Sequence, residues 1–580
     1  MRNVRKASEG WRRSRLPQIA IAALAILLVA TVLTTLATED ARRHELGGEG
    51  RKDPQSEHRV GSEAESTTAA TCDGSLQDKI DAAPPGATVK ADPCVYRETI
   101  IIDKPITLQG QPGAEIRGSD VWMNWRREGD YWRHGTVPNF PSKEEPCMPG
   151  TSRCLWPEQV FFDGKPLRQV ASDPGPGQFA VDSHRNVLLK DDPRGHLVEV
   201  TTRRYWVLGR AHGVTIEGFS MRHAANEAQS GAIMNRMGRE NVGYSDWTVR
   251  NNELSDAHGA VVSLKDATGL KVLNNDIYRG GQLGIGGTGY GEIIEGNEVH
   301  DNNTEGFDSN WEAGGLKTAY ASGVTVDSNE FYDNEGNAVW FDIDSRHNTI
   351  SNNRIYHNAN FGIHYEISEY GKMFENVLWE NGWDDPRRGL NAGIGVSNSR
   401  NVEVYNNTLA WNADGIAVSS LDREGTAWDN VRYVYVHDNT ILATDYPDDR
   451  EGKFALAWLQ WWSDQMFDPA NDNRGANNRY WYPDPEGTSA RYEWKQTQYS
   501  SLAAFNATPG EEDGRYLTQG EKERVISSAG LPAVPEQPQD VRRGLDTLNH
   551  WIQALMRIIR SMVHLGATIS FTLSSSWPSR

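Results

Sequence analysis

The sequence predicts an all-β protein wound as a solenoid, a single-stranded parallel β-helix with a small inserted β subdomain and a C-terminal cap. Three observations predict this fold class. A short unit with a strand-like triplet and an asparagine recurs from about residue 213 onward. The 55 glycines suit a protein with many turns. The leucine lattice that a leucine-rich repeat would need at this period is absent.

The recurring asparagine sets the length of each coil. Successive members are 23, 22, 32, 24, 23, 31 and 32 residues apart, so a basal coil takes 22 to 24 residues and three coils carry insertions. A period this short is typical of one coil per repeat. We expect the asparagines to stack as an internal ladder, each amide bonding its neighbours above and below. The members are Asn252, Asn275, Asn297, Asn329, Asn353, Asn376, Asn407 and Asn439.

The N-terminal segment, residues 1–37, indicates export. Basic side chains before residue 16 precede nineteen apolar or small residues at 19–37. As a helix, such a stretch nearly spans a hydrocarbon core of about 30 Å. The segment predicts a membrane anchor or a cleaved signal peptide, and either one makes the remainder extracytoplasmic, anchored to the cell membrane or secreted. Residues 38–72 hold almost no large apolar side chains and are typical of a flexible stalk.

The cysteines indicate the redox compartment, and the net charge restricts the class of partner. The four cysteines, Cys72, Cys94, Cys147 and Cys154, lack the spacing of a zinc knuckle and suit two disulfides in an oxidising compartment. Three pairings stay open. A net charge of −20 excludes a nucleic-acid partner that is recognised through bulk positive charge.

The segment that precedes the repeat has a distinctive order of elements. A short amphipathic stretch at 76–83 is followed by the phrase Tyr96-Arg97-Glu98 and apolar triplets. This order resembles the entry of right-handed parallel β-helix proteins of the pectin-lyase-like superfamily. The resemblance covers roughly residues 73–445 and implies a right-handed helix whose first coil is capped by the short α-helix. That fold hosts lyases, hydrolases, epimerases and adhesins, so the chemistry must be argued from the site.

Two regions depart from the repeat. The periodicity lapses between about 119 and 205, where a Trp-rich insertion predicts a small β subdomain that also holds two of the cysteines. Residues 446–537 are expected to cap the open end of the helix. Residues 538–580 form a tail to which the sequence assigns no fold, and His and Arg in its apolar stretch argue against a second membrane span.

Two acidic residues occupy the same register on successive coils. Asp342 lies thirteen residues after Asn329, and Glu366 lies thirteen after Asn353. Residues at equal offsets stack one strand spacing apart, about 4.7 to 4.9 Å. Like charges in that position are destabilising unless something compensates. The separation is close to the 5 to 5.5 Å or so that retaining glycosidases use, and mutual repulsion raises the pKa of one partner.

The phrases WFD at 340–342 and HYEI at 364–367 contain these two acids. They resemble the β-xylosidase family of β-helix glycoside hydrolases, and the resemblance implies Asp342 as nucleophile and Glu366 as acid/base. The presence of Asp344 departs from that pattern. Asp344 lies two residues beyond Asp342, so its side chain is expected to project from the same face of the sheet. Asp344 is therefore a second candidate for the nucleophile, or a third acid that changes the mechanism.

Supporting residues surround the pair. One coil earlier, Lys317 lies near the same column and can offset the carboxylate charge, and Glu312 can contact sugar hydroxyls or form a loop salt bridge. The aromatic side chains Trp340, His364 and Tyr365 flank the acids and suit stacking on a sugar ring, or packing of the shaft. We count all five as candidate substrate-binding residues.

The sequence thus predicts an exported carbohydrate-active enzyme, a retaining glycoside hydrolase that acts on a mostly neutral polysaccharide or oligosaccharide. No cofactor is required, although two or three carboxylates on one face can also hold calcium. Two alternatives stay open. One is a calcium-dependent polysaccharide lyase of pectate-lyase type, with Lys317 or Arg346 as a conceivable base. The other is a non-catalytic surface adhesin or glycan-binding protein.

Overall fold

A computed structural model describes residues 70–532, except 142–144, 239, 241, 385–388, 424–425, 427, 429 and 444–453. These residues all belong to a unit that begins at Thr68. The predicted anchor or signal segment at 19–37, most of the predicted stalk and the tail at 538–580 lie outside them. Within the described residues, no helix is both long and apolar enough to cross a membrane.

Three long sheets form the body of this unit, and each regular coil contributes one strand to each of them. The described residues form 12, 13 and 13 strands in the three sheets. Pairing is parallel except between the last two strands of one sheet, Tyr492–Trp494 and Thr497–Tyr499. The prediction of a parallel β-helix is confirmed. In chain order around a coil, we call the sheets the first sheet, the second sheet and the site sheet.

The strands of each sheet follow in spatial order. The first sheet contains Thr88–Ala91, Thr107–Gly110, Thr215–Glu217, Thr248–Arg250, Lys271–Leu273, Ile293–Glu295, Thr325–Asp327, Thr349–Ser351, Lys372–Phe374, Arg400–Tyr405, Arg432–His437 and Arg474–Ala476. The second sheet contains Val95–Tyr96, Glu115–Arg117, Ser220–Ala224, Glu253–Ala257, Asp276–Tyr278, Glu298–His300, Glu330–Tyr332, Arg354–Tyr356, Val377–Trp379, Thr408–Ala410, Thr440–Leu442, Arg479–Trp481 and Arg515–Tyr516. The site sheet contains Ile100–Ile102, Val207–Gly209, Gly231–Met234, Ala260–Thr268, Leu283–Tyr290, Gly314–Ala319, Asn337–Asp342, Ile363–Glu366, Ile394–Ser397, Ile416–Ser420, Leu456–Gln460, Tyr492–Trp494 and Thr497–Tyr499.

The remaining elements cap or decorate the shaft. The insertion forms two small sheets, one of Ser119–Val121, Val160–Phe162, Lys165–Pro166 and Val198–Thr201, the other of Arg126–Glu128, Tyr131–His134, Arg168–Gln169, Gln178–Val181 and Val187–Leu189. Among the described residues, the helices are α1 (Leu76–Ala82), α2 (Leu502–Phe505) and α3 (Gln519–Ala529), with short 3-10 turns at Arg153–Leu155, Gln465–Phe467 and Pro469–Asn471. Disulfides join Cys72 to Cys94 and Cys147 to Cys154.

The short strands form because their sequences alternate. In a typical strand, Thr248–Arg250, the central Val249 is buried inside the shaft while its neighbours face outward. The residue before each ladder asparagine adopts a left-handed φ, 55° at Asn251 and 67° at Gly296, which turns the chain from one sheet to the next. Alternation and turn together wind the chain into coils.

The predicted asparagine ladder is confirmed. From Asn252 to Asn407, each Nδ2 donates to the Oδ1 of the next member at 2.9 to 3.0 Å. A second ladder, which the sequence analysis missed, runs five residues later along the same coils, with Nδ2 to Oδ1 distances of 2.8 to 2.9 Å. Its members are Asn302, Asn334, Asn358, Asn381 and Asn412. The two ladders hold the coils in register on either side of the second sheet.

One carboxyl group lies inside the apolar shaft. Glu292 is 1% exposed, and its Oε1 has no hydrogen-bond partner among the described residues. Burial raises the pKa of Glu292 from 4.5 to about 8. The folded protein therefore binds a proton here that the unfolded chain has already released between those two values.

We expect this proton to make the free energy of unfolding fall as the pH rises. The stabilisation is complete below the unfolded pKa of 4.5 and is lost as the pH passes through about 8. The loss is on the order of a few kcal/mol. Urea unfolding between about pH 5 and about pH 8 measures the slope. The variant Glu292→Gln should have a flatter slope than the parent. Glu295 is an exposed carboxylate on the strand that directly follows Glu292, so the control variant Glu295→Gln should keep the parental slope.

Candidate active site

Three consecutive strands of the site sheet carry the candidate residues. They are Gly314–Ala319, Asn337–Asp342 and Ile363–Glu366, and they pair in parallel. The register places Lys317, Trp340 and His364 in one column. Two residues further along, on the same face, Asp342 and Glu366 each end their strand. Neighbouring positions are one rung apart, about 4.8 Å.

The outer face of these strands forms the floor of an open cavity. Its volume is about 500 Å³, within the range of about 300 to 1,000 Å³ that is common for ligand sites. Both carboxylates line it although each is less than 10% exposed. Lys317, Trp340, Glu312 and Arg423 also contribute to the lining.

Asp342 is held in a defined orientation. Its Oδ1 accepts a hydrogen bond from the backbone N–H of Ile343 at 2.8 Å. Its Oδ2 lies 2.9 Å from the Nζ of Lys317, and both side chains are at least 90% buried. The ammonium group offsets the negative charge that burial would otherwise penalise. Lys317, which the sequence places near the same column, is thus the cation beside Asp342.

Glu366 lies in a different electrostatic environment. Its Oε1 forms an ion pair with Arg423. Burial raises the pKa of Glu366, while Arg423, Lys317 and the indole N–H of Trp340 act in the opposite direction. Burial is the larger effect, so the net shift in the pKa of Glu366 is upward.

Trp340 and His364 pack beneath the cavity rather than across it. Trp340 is 4% exposed, and the Nζ of Lys317 lies 3.4 Å from its ring centroid. The ammonium group thus covers the face that we expected to stack on a sugar. His364 does not line the cavity. Its ring stacks on Phe361 with centroids 4.2 Å apart, and Nε2 lies 3.0 Å from the Oγ of Ser397. Burial lowers the pKa of His364 to about 3, so its ring is neutral.

Glu312 lines the cavity on the side of the preceding coil. Its Oε2 accepts a hydrogen bond from the Nε2 of Gln229 at 2.5 Å. Gln229 and the neighbouring Lys265 also line the cavity, and the Nζ of Lys265 donates to the carbonyl of Gln229 at 3.1 Å. Glu312 therefore lies at the cavity, with one carboxylate oxygen already bound to Gln229.

Two sequence-predicted residues lie elsewhere. Tyr365 is fully buried inside the shaft, where its hydroxyl donates to the carbonyl of Glu369 at 2.9 Å. It cannot contact a sugar, because adjacent residues of a strand point to opposite faces. Asp344 does not share the face of Asp342. The strand ends at Asp342, and Ile343 and Asp344 adopt left-handed φ values of 36° and 55°. The Asp344 side chain is 44% exposed near Arg346 and does not line the cavity.

Sequence reasoning missed Arg423, which follows the strand Ile416–Ser420 in a loop two coils beyond Glu366. Nothing in the repeat pattern indicates where such a loop points. The sequence also left a calcium site open. Among the residues that the structure describes, no group of three or more His, Cys, Asp or Glu side chains is arranged to hold a metal ion.

Comparison with known proteins agrees with this architecture. Residues 240–443 match a family model described as the right-handed beta helix region. A search of curated proteins finds no match. Among solved structures, the complex of XylC with xylose aligns with 76% of this chain and 82% of its own, at 16% identity and a TM-score of 0.52. The A-module of the mannuronan C-5 epimerase AlgE6 from Azotobacter vinelandii covers 76% and 93%, at 11% identity and a TM-score of 0.46.

At such low identities the likeness concerns the fold. The class that the sheets and the family model define is the right-handed parallel β-helix.

Proposed function

We propose that this protein is a carbohydrate-active enzyme, a retaining glycoside hydrolase with Asp342 as nucleophile and Glu366 as acid/base. The observation that carries the proposal is the pairing of two buried carboxyl groups on adjacent rungs in unlike environments. Asp342 is charge-balanced by Lys317, whereas burial raises the pKa of Glu366. Enzymes that split acid and nucleophile roles between two carboxyl groups use this kind of difference.

In the first step, an oxygen of Asp342 attacks the anomeric carbon while Glu366 donates its proton to the leaving glycosidic oxygen. The glycosidic C–O bond breaks and an ester to Asp342 forms. The Glu366 carboxylate that results has Arg423 as a ready partner. In the second step, this carboxylate takes a proton from water, and the water oxygen displaces Asp342 at the anomeric carbon. Two displacements retain the anomeric configuration.

The charges that line the cavity favour a mostly neutral glycan. Its lining carries three basic side chains, Lys265, Lys317 and Arg423, and three acidic side chains, Glu312, Asp342 and Glu366. The lining therefore has no large excess of positive charge to attract a uronate. The volume of about 500 Å³ suits a short stretch of a polysaccharide or an oligosaccharide.

We also propose that the protein acts outside the cytoplasm, anchored to the cell membrane or secreted. The two disulfides support this setting because they persist in oxidising compartments. The membrane contact itself would be made by residues 19–37.

The test is the stereochemistry and chemistry of the products. The purified protein is incubated with a panel of aryl glycosides and neutral polysaccharides, and proton NMR follows the first anomer released. We expect new reducing ends with retained configuration. An inverted first product contradicts the two-step mechanism. Unsaturated, ultraviolet-absorbing sugars indicate a lyase, and binding without any product indicates an adhesin. The double variant Asp342→Asn/Glu366→Gln controls for contaminating hydrolases.

A further inference from the structure

An inserted loop forms one side of the cavity. Residues 303–313, which we call the cavity loop, form most of the connection between the strands Glu298–His300 and Gly314–Ala319. The loop brings Trp311 and Glu312 to the cavity. The backbone carbonyl of Trp311 accepts a hydrogen bond from the Nζ of Lys317 at 2.5 Å. Lys317 is therefore held from two directions, by Asp342 and by this loop.

A segment from the distant insertion is bound to the outside of the cavity loop. Residues 145–154, which we call the clamp, are closed by the Cys147–Cys154 disulfide. Cys147 forms an antiparallel β-bridge with Phe307. The N–H of Met148 donates to the carbonyl of Gly306 at 2.9 Å, and the N–H of Asp308 donates to the carbonyl of Pro146 at 2.9 Å. The clamp thus pairs with the loop through an isolated β-bridge.

Side chains strengthen the same contact. The indole N–H of Trp311 donates to the Oε2 of Glu145 at 2.8 Å, and Arg153 lies 2.7 Å from Glu305 in an ion pair. Cys154 and Phe307 are each 1% exposed and share a small apolar cluster. Trp311 itself is 53% exposed, so about half of its surface has no packing contact.

We infer that the clamp is a positioning device: through Glu145 and the cavity loop it fixes Trp311, and thereby holds Lys317 against Asp342. The catalytic consequence rests on the function proposed above, whereas the structural coupling does not. A crosslink that limits the alternative conformations of a short segment lowers the entropy cost of ordering what it binds. Without it, the carbonyl of Trp311 would no longer be fixed, and Lys317 would keep only Asp342 and the Trp340 ring as contacts that position its ammonium group.

Hydrogen exchange tests the coupling without any substrate. The variant Cys147→Ser/Cys154→Ser is compared with Cys72→Ser/Cys94→Ser. The latter removes the other disulfide, which lies at the first coil, six rungs or about 29 Å along the site sheet from Asp342. We expect amides of residues 306–312 to exchange at least about tenfold faster in the first variant only. Equal protection of these amides in both variants would overturn the inference.

A second pair of variants isolates the side-chain contact. Glu145→Ala removes the acceptor of the Trp311 indole, whereas Glu145→Gln keeps a carbonyl oxygen in its place. Faster exchange of the cavity loop in Glu145→Ala, with rescue by Glu145→Gln, supports the inference. Identical exchange in the two variants contradicts the role of Glu145.

Kinetics measures the consequence for the reaction. We expect the Cys147→Ser/Cys154→Ser variant to lose about 10- to 100-fold in kcat with a smaller change in KM, because a misplaced charge acts mainly in the transition state. Asp342, Lys317, Trp340, His364 and Arg423 surround Glu366. Since Lys317 lowers the pKa of Glu366, its displacement should move the basic limb of the pH profile upward.

Hydrogen exchange tests whether the clamp holds the cavity loop, and kinetics tests whether this matters for the reaction. Unchanged kinetics in an active enzyme would overturn the inference even if the loop exchanged faster. If the wild type hydrolyses no glycoside, the proposed function fails, and the exchange data alone decide whether the clamp holds the loop.

Discussion

Replacing Asp342 by Asn is expected to reduce kcat on an aryl glycoside by at least about 10⁴-fold, because the amide cannot form the glycosyl ester. The amide has nearly the same shape as the carboxylate, although its one oxygen can accept from the N–H of Ile343 or from Lys317 but not from both. The other residues that line the cavity are unchanged, so we expect substrate binding to survive. Steady-state kinetics, with substrate binding measured separately by calorimetry, checks both expectations.

Asp344 provides the matched control for this substitution. It lies two residues further along, and its exposed side chain does not line the cavity. Asp344→Asn should keep nearly the parental kcat. If instead Asp344→Asn is inactive and Asp342→Asn is active, the nucleophile has been assigned to the wrong residue. Rescue of a smaller variant, Asp342→Gly, by azide with formation of the inverted glycosyl azide would support Asp342 independently.

The register of the acid pair could be predicted because the ladder asparagines are fixed inside the shaft. Counting thirteen residues from two successive asparagines placed Asp342 and Glu366 at equivalent positions. The strands Asn337–Asp342 and Ile363–Glu366 pair in the register that this counting gives. A solenoid allows such an argument because each coil repeats the geometry of its neighbour. The chain between these two acids forms a single coil without an insertion.

The predictions failed where residue type was given more weight than local geometry. Tyr365 was expected to face a sugar because it is aromatic and adjacent to Glu366, yet adjacency on a strand is the reason that it faces inward. For Asp344, the alternation rule was applied beyond the end of the strand. The left-handed φ at Ile343 ends the alternation there.

The parts of the site contributed by insertions could not be predicted. Arg423 reaches Glu366 from a loop two coils away, and Glu145 contacts Trp311 from an insertion more than 160 residues earlier in the chain. The repeat determines where strands lie, but the path of a long loop depends on its own contacts. Both residues therefore became visible only in the folded protein.

Replacing Glu366 by Gln is expected to lower kcat/KM most for substrates whose leaving group must be protonated to depart. For a glycoside with a poor leaving group such as an alkyl alcohol, kcat/KM should fall by about 10³-fold or more, because the amide donates no proton to the departing oxygen. For a dinitrophenyl glycoside, whose leaving group departs as a stable anion, the fall in kcat/KM should be less than about tenfold. The same variant should lose the basic limb of the pH profile, since burial raises the pKa of Glu366 in the parent and its deprotonation ends the acid step.

Glu369 offers a control from the same coil. It pairs with Arg346 and does not line the cavity, so Glu369→Gln should keep the parental dependence on leaving group. A Glu366→Gln variant that slows every substrate by the same factor would show that this carboxyl does not act as the proton donor. In that case the raised pKa of Glu366 would reflect only the burial of a structural carboxyl paired with Arg423, and the acid would have to be sought among the other residues of the cavity, beginning with Glu312.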